Sequence, residues 1–258
     1  MNGKSSVDWR AINLRLSVFP TAVKTVEIDD WRAITGTAEP QTRVHQTAMV
    51  NMLGPFLGGQ LQVSSIPGRI DIVLMPRPAA NDAPQMTGLD TTIFIGDFFE
   101  TLRGFQGATR AWLEGISFDV LRLAFGAVIL SPSEDAQASY ILMESLLKSV
   151  RIVPGKMKDM SFTVNWPVPS TILEDASLNR VTKWATLSLR GRLGAVAAPG
   201  APAVASEISI AEGPALELDH STPAERSTPI PHEKLIPIYD ELLKLAVENA
   251  QRGEVPCL

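Results

Sequence analysis

The same succession of short motifs occurs twice in this chain, and a repeat constrains a fold more than any single helix or strand signal. Leu14-Arg15-Leu16-Ser17-Val18-Phe19 is echoed by Leu121-Arg122-Leu123-Ala124-Phe125. Ile66-Pro67-Gly68-Arg69 is echoed by Val153-Pro154-Gly155-Lys156, and each is followed by alternating apolar residues that stop at a Pro-x-Pro, Pro76-Arg77-Pro78 and Pro167-Val168-Pro169. The order is strand, gap, Pro-Gly turn, strand, proline stop. Leu14 to Pro67 is 53 residues and Leu121 to Pro154 is 33, so the first copy carries about 20 more residues, which a surface loop hosts at small entropic cost. The alternative is chance, since Leu-Arg-Leu and Pro-Gly are common strings. Taken as a duplication, the pattern predicts that residues 12–78 and 119–169 form the same β-α-β-β unit, with the two Pro-Gly dipeptides in equivalent hairpin turns.

The gaps read as helices. Ser131-Pro132-Ser133-Glu134 has the form of a capping box, and Ala138, Ile141, Leu142, Leu146, Leu147 and Ser149 then build an apolar stripe. In the first copy Pro40 opens a weaker pattern, with Val44, Ala48, Met52 and Phe56 in register and a break at Gly54-Pro55. Between the copies, Phe98, Leu102, Phe105, Thr109 and Trp112 recur at helical spacing, interrupted by Gly104 and Gly107. Residues 194–206 are rich in Ala, Gly and Pro and read as a loop between two strands. Leu235, Ile238, Leu242, Leu245 and Ala246 mark a C-terminal helix that ends at Gly253, with Pro237 in its first turn or at a kink.

The fold class expected is therefore α+β: an antiparallel sheet built from two β-α-β-β-like units, with packed helices and a C-terminal helix. Residues 1–115 hold the first unit and a connecting helix. Residues 116–258 hold the second unit, further strands and the last helix, and the two parts can form one continuous domain. A chain of 258 residues with 45% hydrophobic and 20% charged residues can bury a core of that size.

Composition narrows the function classes. No apolar run reaches the roughly 18 residues of a membrane span, and Met1 to Arg10 lacks the apolar stretch of a signal peptide. A single cysteine, Cys257, fits a reducing compartment, so a cytoplasmic location is expected. The net charge of −5 speaks against a generally basic nucleic-acid binder. No phosphate-binding loop, dinucleotide fingerprint, zinc motif or nucleophile elbow occurs, so no cofactor or metal is implied.

The three histidines, His45, His220 and His232, and the neighbouring Asp219 offer at most a dispersed acid/base site. Asp29-Asp30 and Glu134-Asp135 are explained by a turn or a helix N-terminus. The more specific pattern is a strand from Arg180 to Arg190. Val181, Lys183, Ala185, Leu187 and Leu189 share one face, while Arg180, Thr182, Trp184, Thr186, Ser188 and Arg190 share the other. Exposed Arg and Trp are typical of binding hot spots, which makes Arg180, Trp184 and Arg190 the candidate binding residues. The alternative is that Trp184 packs under the final helix.

The leading functional expectation is a non-catalytic interaction protein, a subunit or accessory factor that associates with a protein partner or with itself. A small-ligand or nucleotide sensor using a groove between the two units, and an enzyme with a dispersed acid/base site, are the alternatives.

Overall fold

The structure is a computed structural model. It describes residues 7–37, 39–46, 49–77, 93–174, 176–194 and 205–254, with side chains at 189–194 and 205–210 left aside. The fold is α+β, as the alternation of strand and helix patterns predicts. Its strands are β1 (Arg10–Pro20), β2 (Thr42–Gln46), β3 (Met49–Phe56), β4 (Gly59–Ile66), β5 (Arg69–Met75), β6 (Gly96–Asp97), β7 (Val120–Leu130), β8 (Ser161–Asn165), β9 (Val168–Pro169), β10 (Ser177–Gly194) and β11 (Ala205–Ser221). Its helices are α1 (Ile28–Thr35), α2 (Phe98–Gly115), α3 (Ala136–Leu146) and α4 (His232–Arg252). The strands form one antiparallel sheet in the order β2-β3-β4-β5-β1-β7-β11-β10-β8, so it is continuous across the expected 115/116 division.

With β2, β6 and β9 set aside, a similar order of elements can be traced in each half, which does not establish a duplication. In the first, β1, α1, β3, β4, β5 and α2 follow one another, and the sheet order is β3-β4-β5-β1. In the second, β7, α3, β8, β10, β11 and α4 follow one another, and the order is β8-β10-β11-β7. The motif correspondence expected from sequence is not the one this arrangement gives. Pro67-Gly68 joins β4 to β5, with Gly68 at φ 76°. Pro154-Gly155 forms a turn between α3 and β8, with no strand entering it, so the two turns are not equivalent hairpins. The Leu-Arg-Leu strings, by contrast, do fall on the two central strands, β1 and β7.

The helix expected after Pro40 is also absent; its residues form β2 and β3 instead. Apolar positions four apart fit a helix, but four is also twice the strand period, so Met52 and Phe56 fit either pattern. In β3 the alternation wins, with Val50, Met52 and Gly54 buried and their neighbours more exposed. The helix of this half is α1, which starts at the Asp29-Asp30 pair. Glu27 and Asp30 cap it reciprocally, and Trp31 and Ile34 enter the core. Helix α3 begins later than its capping box predicts, because the amides of Ser131 and Ser133 bond Pro214 and Glu212 and prolong the strand pairing. Asp135 caps α3 through Ala138 N, and the buried face becomes Ser139, Tyr140, Met143 and Leu146, leaving Ile141 exposed.

All four helices lie on one side of the sheet. One transverse row on that side reads Met52, Val63, Ile72, Leu16, Phe125, His220 and Arg180. The α1 ring of Trp31 closes over Gly54, whose missing Cβ leaves room for it. The α3 hydroxyl of Tyr140 meets Thr186. The α4 carbonyl of Leu242 meets His220, and α2 joins α4 through a Thr109–Tyr239 hydroxyl pair at 2.7 Å. Leu235, Ile238, Leu242 and Ala246 of α4 are buried as the stripe predicts, with Pro237 one turn further in than expected and Gly253 closing the helix. Among the described residues no helix is long and apolar enough to cross a membrane.

Leu242 is fully buried against this sheet. Leu242→Asp would remove a core side chain and place an unpaired charge in its site, at a cost of at least about 3 kcal/mol. For a chain of this size the melting temperature is expected to fall by roughly 6–12 °C. An unchanged melt would mean that α4 is not docked as described.

Candidate functional site

The structure inverts the face expected to bind. Arg180 and Trp184 do share one face of β10, but it is the face turned to the helices. Trp184 is fully buried, meets Trp9 edge-on with ring centroids 6.3 Å apart, and donates its indole N–H to Thr182 at 3.2 Å. Arg180 is 3% exposed beneath α4; its Nε donates to Asn249 Oδ1 at 2.9 Å, and its Nη2 lies 3.3 Å from Glu248. The backbone of Arg190 pairs with Ser209, and its side chain lies outside the described residues. The physical reason is that the indole is the largest apolar group on the strand, and its burial outweighs the cost of taking in Arg180, whose charge is met by Asn249 and Glu248.

His220 is the cross-strand neighbour of Arg180 and is also buried. Its Nδ1 faces Leu242 O at 3.3 Å, and its Nε2 has no partner. Burial lowers its pKa to about 4, helped by the charge of Arg180 and opposed by the carbonyl of Leu242. Asp219 precedes it in β11 and so points to the opposite side of the sheet, where it lies 3.9 Å from Arg15. His232, at the start of α4, bonds Ile116 O at 2.9 Å. These groups, read together from sequence as a dispersed acid/base site, are therefore not assembled.

Polar chemistry gathers instead on the uncovered side of the sheet. One transverse row there reads Asn51, Ser64, Asp71, Ser17, Ala124, Ser221 and Asn179. No described helix packs on this side, and Lys183 and Glu217 are each about half exposed, at 49% and 52% of the side chain. At its centre the two Leu-Arg-Leu strings place Arg15 and Arg122 on adjacent strands. Arg15 lies across Gly126, where a Cβ would come within 3.1 Å of its Nη2. Arg122 donates from Nη2 to Ser221 Oγ at 3.0 Å, and its guanidinium stacks 4.9 Å from the ring of Phe19. Arg69 flanks the same ring at 5.7 Å and pairs with Asp71, which also accepts from Ser17.

Both central guanidiniums thus lean toward β11, to Asp219 and Ser221, over a floor of Ser17, Ala124 and Gly126. Small floor residues let the arginines lie flat, and this buries Arg15 Nε and Arg122 Nε without an acceptor. A buried donor left unmet costs about 1–3 kcal/mol. Arg122 has no carboxylate partner among the described residues, and the Arg15–Asp219 contact is long and exposed enough to contribute little. The centre is a mixed-charge patch in which Arg122 is the guanidinium without a carboxylate among the described residues.

A groove of about 430 Å³ lies between α2 and α4, the last helices of the two halves, with Phe99, Leu102, Leu243 and Val247 along it. Its Asp240 already accepts from Gln106 at 2.9 Å and pairs with Arg110, while Arg103 and Lys244 line it without an ion pair among the described residues. Comparison with protein-family models, curated proteins and solved structures finds no match to the chain, so both surfaces are read from their own geometry.

The His220 environment makes a testable statement about pH. The unfolded imidazole titrates near 6.5 and the folded one near 4, so between those values the unfolded chain binds the additional proton. Stability is complete above about pH 6.5 and falls as the pH is lowered, by about 2 kcal/mol at pH 5. Thermal melts between pH 7 and 5 check this, and His220→Leu is expected to flatten the slope. A slope that is the same in both proteins would contradict the assignment.

Proposed function

We propose that this protein is a non-catalytic cytoplasmic interaction protein, a subunit or accessory factor of a larger assembly. Its working surface on this reading is the uncovered face of the sheet, and its partner is a protein surface that presents carboxylates. The observation that carries the reading is the lean of Arg15 and Arg122 toward β11, with Arg122 held by Ser221 and lacking a carboxylate partner among the described residues. Guanidiniums that are already oriented lose little freedom on meeting a carboxylate, and the bidentate pair is the strong form of that contact. Interleaved Asp71, Asp219 and Glu217 disfavour a uniform polyanion such as nucleic acid and favour the mixed charge of a folded protein. The cytoplasmic element rests on the sequence, through its single cysteine.

A small-ligand sensor is the second reading, supported by the groove between α2 and α4. It ranks lower because the groove's lining is mostly apolar and its one carboxylate, Asp240, is already engaged, which leaves Arg103 and Lys244 as the charged groups open to a ligand.

A labelled glutamate-rich peptide, titrated with the full chain by fluorescence anisotropy, tests the first reading. Binding is expected to weaken with salt, and Arg122→Glu should reduce the affinity by about tenfold or more while leaving the melting temperature nearly unchanged. No binding, or equal binding by the variant, would contradict it. An oligothymidylate that binds where the peptide does not would point to nucleic acid instead.

A further inference from the structure

We infer that β2 is the edge at which a second copy of this chain pairs, antiparallel and centred on Val44. This goes beyond the open-face reading and does not depend on it. β2 ends the sheet, and all five of its residues are exposed. In an antiparallel pair every second residue turns its N–H and C=O away from its partner, so the outer side of β2 carries ladder groups with no strand partner among the described residues. Such edges are normally guarded by lysine, proline, a bulge or an inward-pointing charge. β2 has no lysine, proline or bulge: its pairing with β3 is regular from Thr42 to Gln46, and its one charged residue, Arg43, stands on the helix side opposite Met52, where Glu27 at 3.3 Å neutralises it.

The side chains beside the edge are apolar. Val44, Met49 and Ile66 are 45%, 49% and 39% exposed, and they account for three of the six large hydrophobic residues exposed among the described residues. All three lie on the uncovered face. Val44 opposes Asn51, which puts Met49 on the adjacent diagonal, and Met49 and Ile66 flank the Val50–Ser65 pair on the next two strands. Clustering of this kind at an unpaired edge distinguishes the patch from singly scattered surface residues.

A second copy fits this edge by its own chemistry. Pairing through Val44 sets Val44 against Val44, Thr42 against Gln46 and Arg43 against His45 of the second copy. β2 contains no acidic residue, so no carboxylates oppose one another along the strand even though each chain carries −5. The two apolar patches join into one strip across the twofold axis. Because that axis stands perpendicular to the sheet, both uncovered faces point the same way and both helix layers the other.

Sedimentation of the full chain across a wide dilution series tests the inference. The mass is expected to move from 27.9 kDa to twice that value as concentration rises. Val44→Lys should abolish the heavier species and leave the thermal melt unchanged. In a Cys257→Ser background, Val44→Cys should crosslink on mild oxidation, because directly opposed cross-strand Cβ atoms lie about 4.5–5.5 Å apart. Ser64→Cys, on the same face but two strands inward, should not. A monomer at every concentration, or a dimer that survives Val44→Lys, would overturn the inference. Crosslinking at Ser64 without crosslinking at Val44 would overturn it too, in favour of a face-to-face dimer.

Discussion

The antiparallel ladder between β1 and β7 is the interaction on which the rest of the structure depends. It is the one link in the described sheet between β2–β5 and β8–β11. Its register sets both faces at once. Leu14, Leu16 and Val18 of β1 and Leu123, Phe125 and Ala127 of β7 turn toward the helices. Arg15, Ser17 and Phe19, with Arg122, Ala124 and Gly126, turn away. A slip of one residue would send the arginines into the core and the leucines into solvent, so the buried layer specifies the pairing strongly. The arginine centre is in this sense the outer expression of the register that builds the core.

The end of the chain is tied back to its beginning. Trp9, fully buried, donates to the α4 carbonyl of Ala250 at 2.7 Å while it packs against Trp184 of β10. Just beyond α4, Glu254 accepts from the amides of Lys148 and Ser149, the Ser149 hydroxyl and the Trp166 indole. Burial alone would raise its carboxyl pKa, but these hydrogen bonds outweigh it and hold the group below its ordinary range. With the helix layer fastened at both ends, the unfastened surfaces are the uncovered sheet face and the strand edges.

How much of this was legible in the sequence depended on whether a pattern was local. The stripe of α4 and the alternation of β10 follow from residues a few positions apart, and both form. The segment after Pro40 misleads because apolar spacing by four satisfies helix and strand alike. Alternation along Arg180–Arg190 separates two faces but does not say which one a helix will cover. The size of Trp184 was the available clue, since a strand gains more by burying an indole than by burying Val181 or Ala185. Arg15 and Arg122 were visible as the middle residues of the two Leu-Arg-Leu strings, and alternation already placed each opposite its leucines. That they converge was not legible, because convergence needs the cross-strand register, and no local spacing encodes it.

Amine acetylation of the purified chain, with and without the glutamate-rich peptide, addresses the central claim most directly. Lys183 stands on the uncovered face and is about half exposed, while Lys244 stands on α4 beside the groove in the helix layer. The account predicts that the peptide slows modification of Lys183 and leaves Lys244 unchanged. Protection of Lys244 with Lys183 still fully reactive would show that binding occurs on the helical side and would contradict it.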